Sequence, residues 1–253
     1  MKAVLKDREK SILKMAVEEY IDNGEPISSK FLVGKYNFGL SPATIRFELQ
    51  KLTEDGYLYQ PHTSAGRIPT DKGYRFFIDE LMAPLSLGFG EENLIKSIFE
   101  KEWDDFEMSL FNKELAKNMV EISNDLVVIG SPEDNNIYYD GVLNLFQKPE
   151  LKEAKQIREG FEIIENFKNN LENVFDKFGD SLNDIRVFIG RENPFYGAEN
   201  YSVIVSRIEF PCRKIKKKSK DKSEILAILG PKRMRYNKNI SLLEFILQSG
   251  YDF

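Results

Sequence analysis

The chain has 253 residues, enough for one large domain or two of ordinary size at roughly 100–200 residues each. A hydrophobic content of 42% and an aromatic content of 12% exclude a wholly disordered chain, and no stretch approaches the ~20 apolar residues that span a bilayer. A single cysteine, Cys212, excludes an intramolecular disulfide framework, and with a single histidine, His62, no ordinary Cys/His zinc cluster can be assembled.

Residues 1–82 read as short helices followed by a tight hairpin. The apolar positions Ile12, Leu13, Ala16, Val17, Tyr20 and Ile21 repeat as a single buried face and predict a helix over Asp7–Asn23. Asn23-Gly24 closes it and Pro26 prevents its continuation. Ser28 caps a second short helix, Ser29 to Tyr36, expected to bury Phe31, Leu32 and Tyr36. After Asn37-Phe38-Gly39-Leu40, Ser41 caps a third helix with Pro42 at its first position.

The third helix carries Ile45, Leu49 and Leu52 on one side. Ala43, Thr44, Arg46, Phe47, Gln50 and Lys51 are left on the other. Two short helices joined by a tight turn match a helix-turn-helix, whose second helix enters the major groove of DNA. Arg46 can make a bidentate contact to guanine and Gln50 to adenine. On the helix pattern alone, a three-helix bundle with an idle polar face is the plainer reading.

The next segment favours DNA. Gly56–Gln60 is a strand, Pro61–Gly66 a loop, and Arg67-Ile68-Pro69 a short return. Thr70 then caps a fourth helix from Asp71 to about Met82. Helix-turn-helix plus hairpin is a winged helix, whose small polar tip can approach the phosphates and send Arg67 into a narrow minor groove. His62 fits as a phosphate donor or, as readily, as a solvated histidine. The candidate DNA-contacting residues are Lys30, Ser41, Thr44, Arg46, Phe47, Gln50, Lys51, His62, Thr63, Ser64 and Arg67.

Ala83–Gly90 carries the proline, serine and glycines of a boundary. The remainder reads as a helical stretch over Glu91–Asn124, strand-like residues from Asp125 to Val142, and a charged helical stretch from Glu150 to Phe178. Strands follow at Ile185–Gly190, Tyr201–Phe210 and Ile225–Leu229, then an amphipathic segment at Ser241–Leu247. The expected organisation is α+β: residues 1–82 a winged-helix DNA-binding domain, 83–93 a linker, 94–253 a second, sheet-and-helix domain.

Charge gives no footprint in the totals, since residues 1–82 hold 12 basic and 12 acidic residues within a chain of net charge −5. The run Arg213–Lys222 has seven basic residues and one acid; it reads as a solvated hairpin tip or as a phosphate contact. Lys232, Arg233 and Arg235 suit an anion site or a surface connection. Gly141, Gly160 and Gly179 are isolated and are expected to mark turns.

The run LSPATIRFELQKLTEDGYLYQPHTSAGRIPTDKGYRFFIDEL resembles the N-terminal region of the bacterial heat-inducible repressors of the HrcA family, and YIDNGEPISSK resembles the segment before it. Gly141–Leu151, Val187–Asn193, Ser202–Val205 and Leu229–Tyr236 resemble, more loosely, stretches of the family's GAF-like domain. The resemblance implies a homodimeric repressor of chaperone genes. It would bind an inverted-repeat operator in double-stranded DNA, release it on heat stress, and be kept active by chaperonin. It implies no enzymatic activity and no cofactor or metal.

Two departures stand out. The family pattern ATIRN is ATIRF here, so Phe47 replaces an asparagine; it either contacts a thymine methyl or sugar edge, or faces a neighbouring helix. The family's inserted domain, associated with dimer formation, is reduced or missing, since a short loop, Gly130–Asn136, separates two strands. Leu94, Ile98, Leu110, Leu115, Met119 and Ile122 are candidates for either a dimer interface or ordinary core. The start MKAVLKDREKSILK carries charges where a secretory signal is apolar, and a cytoplasmic, nucleoid-associated protein is expected. The alternative is a ligand- or chaperone-sensing regulator whose winged helix contacts protein; a carboxylate-based enzyme is weaker still.

Overall fold

The computed structural model describes residues 5–101, 103, 107–131, 136–169, 184–195, 197–209 and 223–252. Its contacts divide the chain into two units, Met1–Ala83 and Pro84–Phe253. The basic run Arg213–Lys222, Gly179, Cys212 and the end of the charged stretch toward Phe178 lie outside the described residues.

In the N-terminal unit, α1 spans Asp7–Asn23 and ends at Gly24, whose φ of 73° lets its N–H reach the Tyr20 carbonyl at 2.9 Å. α2 spans Ser29–Lys35, with Ser28 Oγ accepting from Phe31 N at 3.1 Å. α3 spans Pro42–Glu54, and Ser41 Oγ accepts from Thr44 N at 3.1 Å. Strands β1 (Leu58–Tyr59) and β2 (Ile68–Pro69) pair antiparallel, Leu58 opposite Pro69. α4, Asp71–Phe76, is capped by Thr70 and runs on into a π-helical turn, Phe77–Leu81.

Ile12, Leu13, Ala16 and Val17 of α1 share the core with Leu32, Ile45, Leu49, Leu52 and Leu58. Phe31 is not in it. It is 40% exposed, with Lys35 Nζ 5.8 Å from its ring. In a seven-residue helix with Leu32 inward, the preceding residue lies about 100° round the axis and faces out.

Three buried carboxylates tie α1 to its neighbours. Glu9 pairs with Lys51 of α3, Glu19 with Lys35 and with the Tyr36 hydroxyl beyond α2, and Glu48 of α3 reaches back to Arg8. The partners emerge at the surface, so each charge is compensated without a second ion being fully desolvated.

The C-terminal unit is built on a five-stranded antiparallel sheet of order β4-β3-β7-β6-β5. The strands are β3 Leu126–Ser131, β4 Asn136–Asp140, β5 Ile185–Ile189, β6 Tyr201–Glu209 and β7 Ser223–Pro231. α5 (Phe89–Phe99) and α6 (Met108–Ser123) precede the sheet, α7 (Val142–Phe146) and α8 (Ala154–Asn169) fall between β4 and β5, and α9 (Tyr236–Asp252) closes the chain. α5 begins inside the segment expected as a linker, where Glu91 Oε2 accepts from Gly88 N at 2.9 Å.

Alternate residues of the central strands are buried on both faces, as a sheet covered on each side requires. One face, with Leu126, Val128, Val203, Val205, Ala227 and Leu229, packs against Leu145 of α7 and Ile163 and Phe167 of α8. Buried Ile98, Leu115, Met119 and Ile122 take the core alternative, while Leu110 stands 53% exposed.

Gly160 corrects an expectation, for it lies within α8 and marks no turn. A Cβ there would come within 2.6 Å of the Tyr201 hydroxyl and 2.9 Å of the Phe146 ring, so glycine permits a close helix approach. Asp125 is buried at the start of β3, paired with Lys148 Nζ at 3.1 Å and accepting from Asn239 Nδ2 at 3.0 Å. Burial pushes its carboxyl up, against the pull of Lys148 and Asn239. Lys232, Arg233 and Arg235 fall in the connection between β7 and α9, where Arg233 pairs with Glu150.

Candidate nucleic-acid interface

Within the N-terminal unit, α3, the start of α2 and the hairpin enclose a groove of about 720 Å³. Arg46, Phe47, Gln50, Thr63, Ser64 and Arg67 line it, together with Ala43, Gln60 and Gly66. The lining holds two arginines and no carboxylate.

The hairpin is fixed against the segment entering α2. Ile27 N donates to the Arg67 carbonyl at 2.9 Å, and Arg67 N donates to the Ile27 carbonyl at 2.8 Å. Gly66 allows this approach, since a Cβ would stand 2.4 Å from the Pro26 carbonyl oxygen. Gln60 Nε2 braces the tip from inside, donating to the carbonyls of Thr63 and Ala65, each at 2.9 Å. Pro61, His62, Thr63 and Ser64 are exposed, and His62 Nδ1 lies 3.1 Å from Ser64 Oγ.

Arg67 does not project from the hairpin as expected. Only 9% exposed, it lies at the hairpin base, where Nε donates to Thr53 Oγ1 and Nη2 to Gln50 Oε1, both at 2.9 Å. Ladder pairing with Ile27 turns the side chain back onto α3 rather than outward. Burial among neutral acceptors draws its pKa down.

Gln50 is correspondingly engaged, with Nε2 donating to Glu54 Oε1 at 3.0 Å. Gln50, expected to be able to contact adenine, is exposed and lines the groove, with one hydrogen bond at each end of its amide, to Arg67 and to Glu54. Lys51 swings from α3 to Glu9, and their hydrogen bond raises the Lys51 pKa and lowers that of Glu9. Ser41 and Thr44 bond to each other at 3.0 Å as part of the cap.

Lys30 is exposed on α2 and, like Ser41, Thr44, Lys51 and His62, is not in the groove lining. Arg46 and Phe47 are exposed on α3, Phe47 at 68%, which leaves it unpacked against any neighbouring helix. Gln60 and Gly66 were missed as site residues. The signal for Gly66 was present in the sequence, a glycine at a hairpin base, but its function depends on where Pro26 lies. Among the described residues, no group of three or more His, Cys, Asp or Glu converges as a metal site. No helix among them is long and apolar enough to cross a membrane.

These features define an α+β protein of two units, with a cationic groove on the first. Residues 78–240 match the family model described as HrcA protein C terminal domain. The chain belongs to the HrcA family. It is 40% identical over 130 residues to the heat-inducible transcription repressor HrcA of Symbiobacterium thermophilum, covering 51% of this chain and 38% of that protein. It is 38% identical over 170 residues to that of Acetivibrio thermocellus, covering 67% and 47%. The chain thus spans less than half the length of these two relatives. A third, from a Thermoanaerobacter species, is 28% identical with 94% and 93% covered. A crystal structure described as that of a hypothetical protein shares the fold, with a TM-score of 0.72, 20% identity and 98% of each chain covered.

Proposed function

We propose that this chain is a transcriptional repressor of heat-shock genes that reads double-stranded DNA through α3. In this reading residues 1–82 are a winged helix-turn-helix, α2 and α3 forming the helix pair and the hairpin the wing. Residues 94–253 are a GAF-like effector domain. The observation that carries it is the groove, where α3 presents the exposed Arg46, the hairpin tip presents Thr63 and Ser64, Arg67 lies at the base, and no carboxylate is in the lining. Such a surface suits a phosphate backbone and the acceptor-rich edges of bases.

The relatives' name, heat-inducible transcription repressor, supports the regulatory role. Two copies related by a two-fold axis would bind an inverted repeat, so the protein acts as a homodimer on its operator. Chaperonin is the proposed partner that keeps it active, and its titration by unfolded clients releases the operator. The expected location is the bacterial cytoplasm, on the nucleoid when bound.

The strands that flank the family's insertion are here joined through residues 132–135 alone. The dimer contact is therefore proposed to lie within the sheet-and-helix unit itself.

The test is fluorescence anisotropy on a labelled inverted-repeat duplex across a salt series. A DNA reader loses affinity steeply as salt rises, with a log–log slope of about −0.9 for each phosphate neutralised. A flat, weak signal at every salt concentration would favour a protein-contacting role for the winged helix.

A further inference from the structure

The DNA-reading role of α3 leaves open which side chains discriminate between bases, and the hydrogen bonds around the helix narrow the choice. Gln50 is held between Arg67 and Glu54, Lys51 is drawn to Glu9, and Thr44 is bonded to Ser41. Arg46 and Phe47 are exposed at the amino-terminal half of α3, and none of these bonds engages them.

Phe47 is unusual among these in being large, apolar and 68% exposed, in a groove that Arg46, Gln50, Thr63 and Ser64 also line. Ala43, one turn earlier, also lines the groove and extends the same apolar strip. A phenyl ring offers no hydrogen bond to a base edge. It matches one feature of the major groove, the 5-methyl group of thymine. Arg46, the adjacent residue, has the donor fork that fits guanine O6 and N7.

We propose that Phe47 is a specificity-determining residue, seating on the 5-methyl of a thymine beside a guanine held by Arg46. This rests on the DNA-reading role proposed above. Arg67 and Glu54 are positioning residues in this arrangement. They hold the Gln50 amide away from the bases, so that discrimination falls on the first two turns of α3. The ligand is thus duplex DNA with a thymine methyl at a fixed place in each half-site.

The experiment recovers a preferred duplex by selection from random sequence with the full chain. Each thymine of that duplex is then replaced in turn by deoxyuridine, which removes the methyl and keeps the base pair. At one thymine per half-site the replacement should weaken binding about four-fold, the order expected for one buried methyl group. Phe47→Ala, at an exposed position, should fold normally and bind thymine and deoxyuridine duplexes alike. Phe47→Asn should shift selection at that position toward adenine.

If every replacement is neutral, or Phe47→Ala keeps the discrimination, the methyl contact is overturned while DNA reading stands. If selection enriches no sequence with protein shown folded by circular dichroism, the DNA-reading role fails, and the inference with it.

Discussion

Arg67 illustrates how a residue's surroundings change what it can be asked to do. Its guanidinium is held by the neutral oxygens of Thr53 and Gln50, so its truncation empties a buried position and releases Gln50 Oε1, leaving the amide held by Glu54 alone. Arg67→Ala should destabilise the protein by about 1–3 kcal/mol, through the loss of a buried side chain's packing and of its two charge-assisted hydrogen bonds, and weaken binding to most DNA sequences. Arg46→Ala, at an exposed site, should leave stability unchanged, lower operator affinity by about 1–3 kcal/mol and relax specificity at one base pair. Denaturant melts and titrations on operator and random DNA separate the two. Equal losses on both DNAs for both variants would refute the division. Gly160→Ala should destabilise by about 1–3 kcal/mol in the same melts, because its Cβ meets the Tyr201 hydroxyl and the Phe146 ring.

Among the elements, the hairpin depends on a single close approach. Gly66→Ala places a methyl against the backbone of Pro26 and Ile27, which must part from Arg67. DNA affinity should fall at least ten-fold, with faster hydrogen exchange at the Ile27 and Arg67 amides; unchanged exchange would contradict the pairing. The helices flanking this hairpin were legible because their ends carry chemistry: Ser28, Ser41 and Thr70 all cap as their residue types suggest. The apolar spacing of α1 likewise marks the face that is buried.

What was not legible depends on partners distant in sequence. Phe31 and Leu32 are both apolar, and the packing of a two-turn helix decides which one faces inward. Gly160 looks like a turn until Tyr201 is placed beside it. The stretch Glu91–Asn124 divides into α5 and α6, and the short α7 has too few residues to show a period. Of the groove, Arg46 and Phe47 could be read as outward-facing from helix phase. The locking of Gln50 could not, because it requires Arg67 to fold back across 17 residues of chain.

At the scale of the whole molecule, acid acts through buried carboxylates with opposite signs. The hydrogen bond from Lys51 holds Glu9 below the ordinary carboxylate range; burial pushes Glu19 up, but Lys35, Tyr36 and Asn23 outweigh it and leave it lowered. A lowered carboxylate contributes stability that is complete above its unfolded pKa of about 4 and is lost as pH falls through its folded value. Asp125 is raised, so its contribution runs the other way, falling as pH rises from about 4 through its folded pKa. Calorimetry of the full chain between about pH 3 and 7 should show the native protein's advantage over Glu19→Gln growing with pH, and its advantage over Asp125→Asn shrinking. Parallel curves for both variants would contradict the assignment.

The most direct measurement is a mobility-shift titration on an inverted repeat taken from upstream of the host's chaperone genes, with scrambled duplex as competitor. Tight, competitor-resistant binding as a two-protomer complex, lost in Arg46→Ala, is the predicted result. Binding by folded protein no tighter than to scrambled DNA, with or without added chaperonin, would contradict the repressor reading.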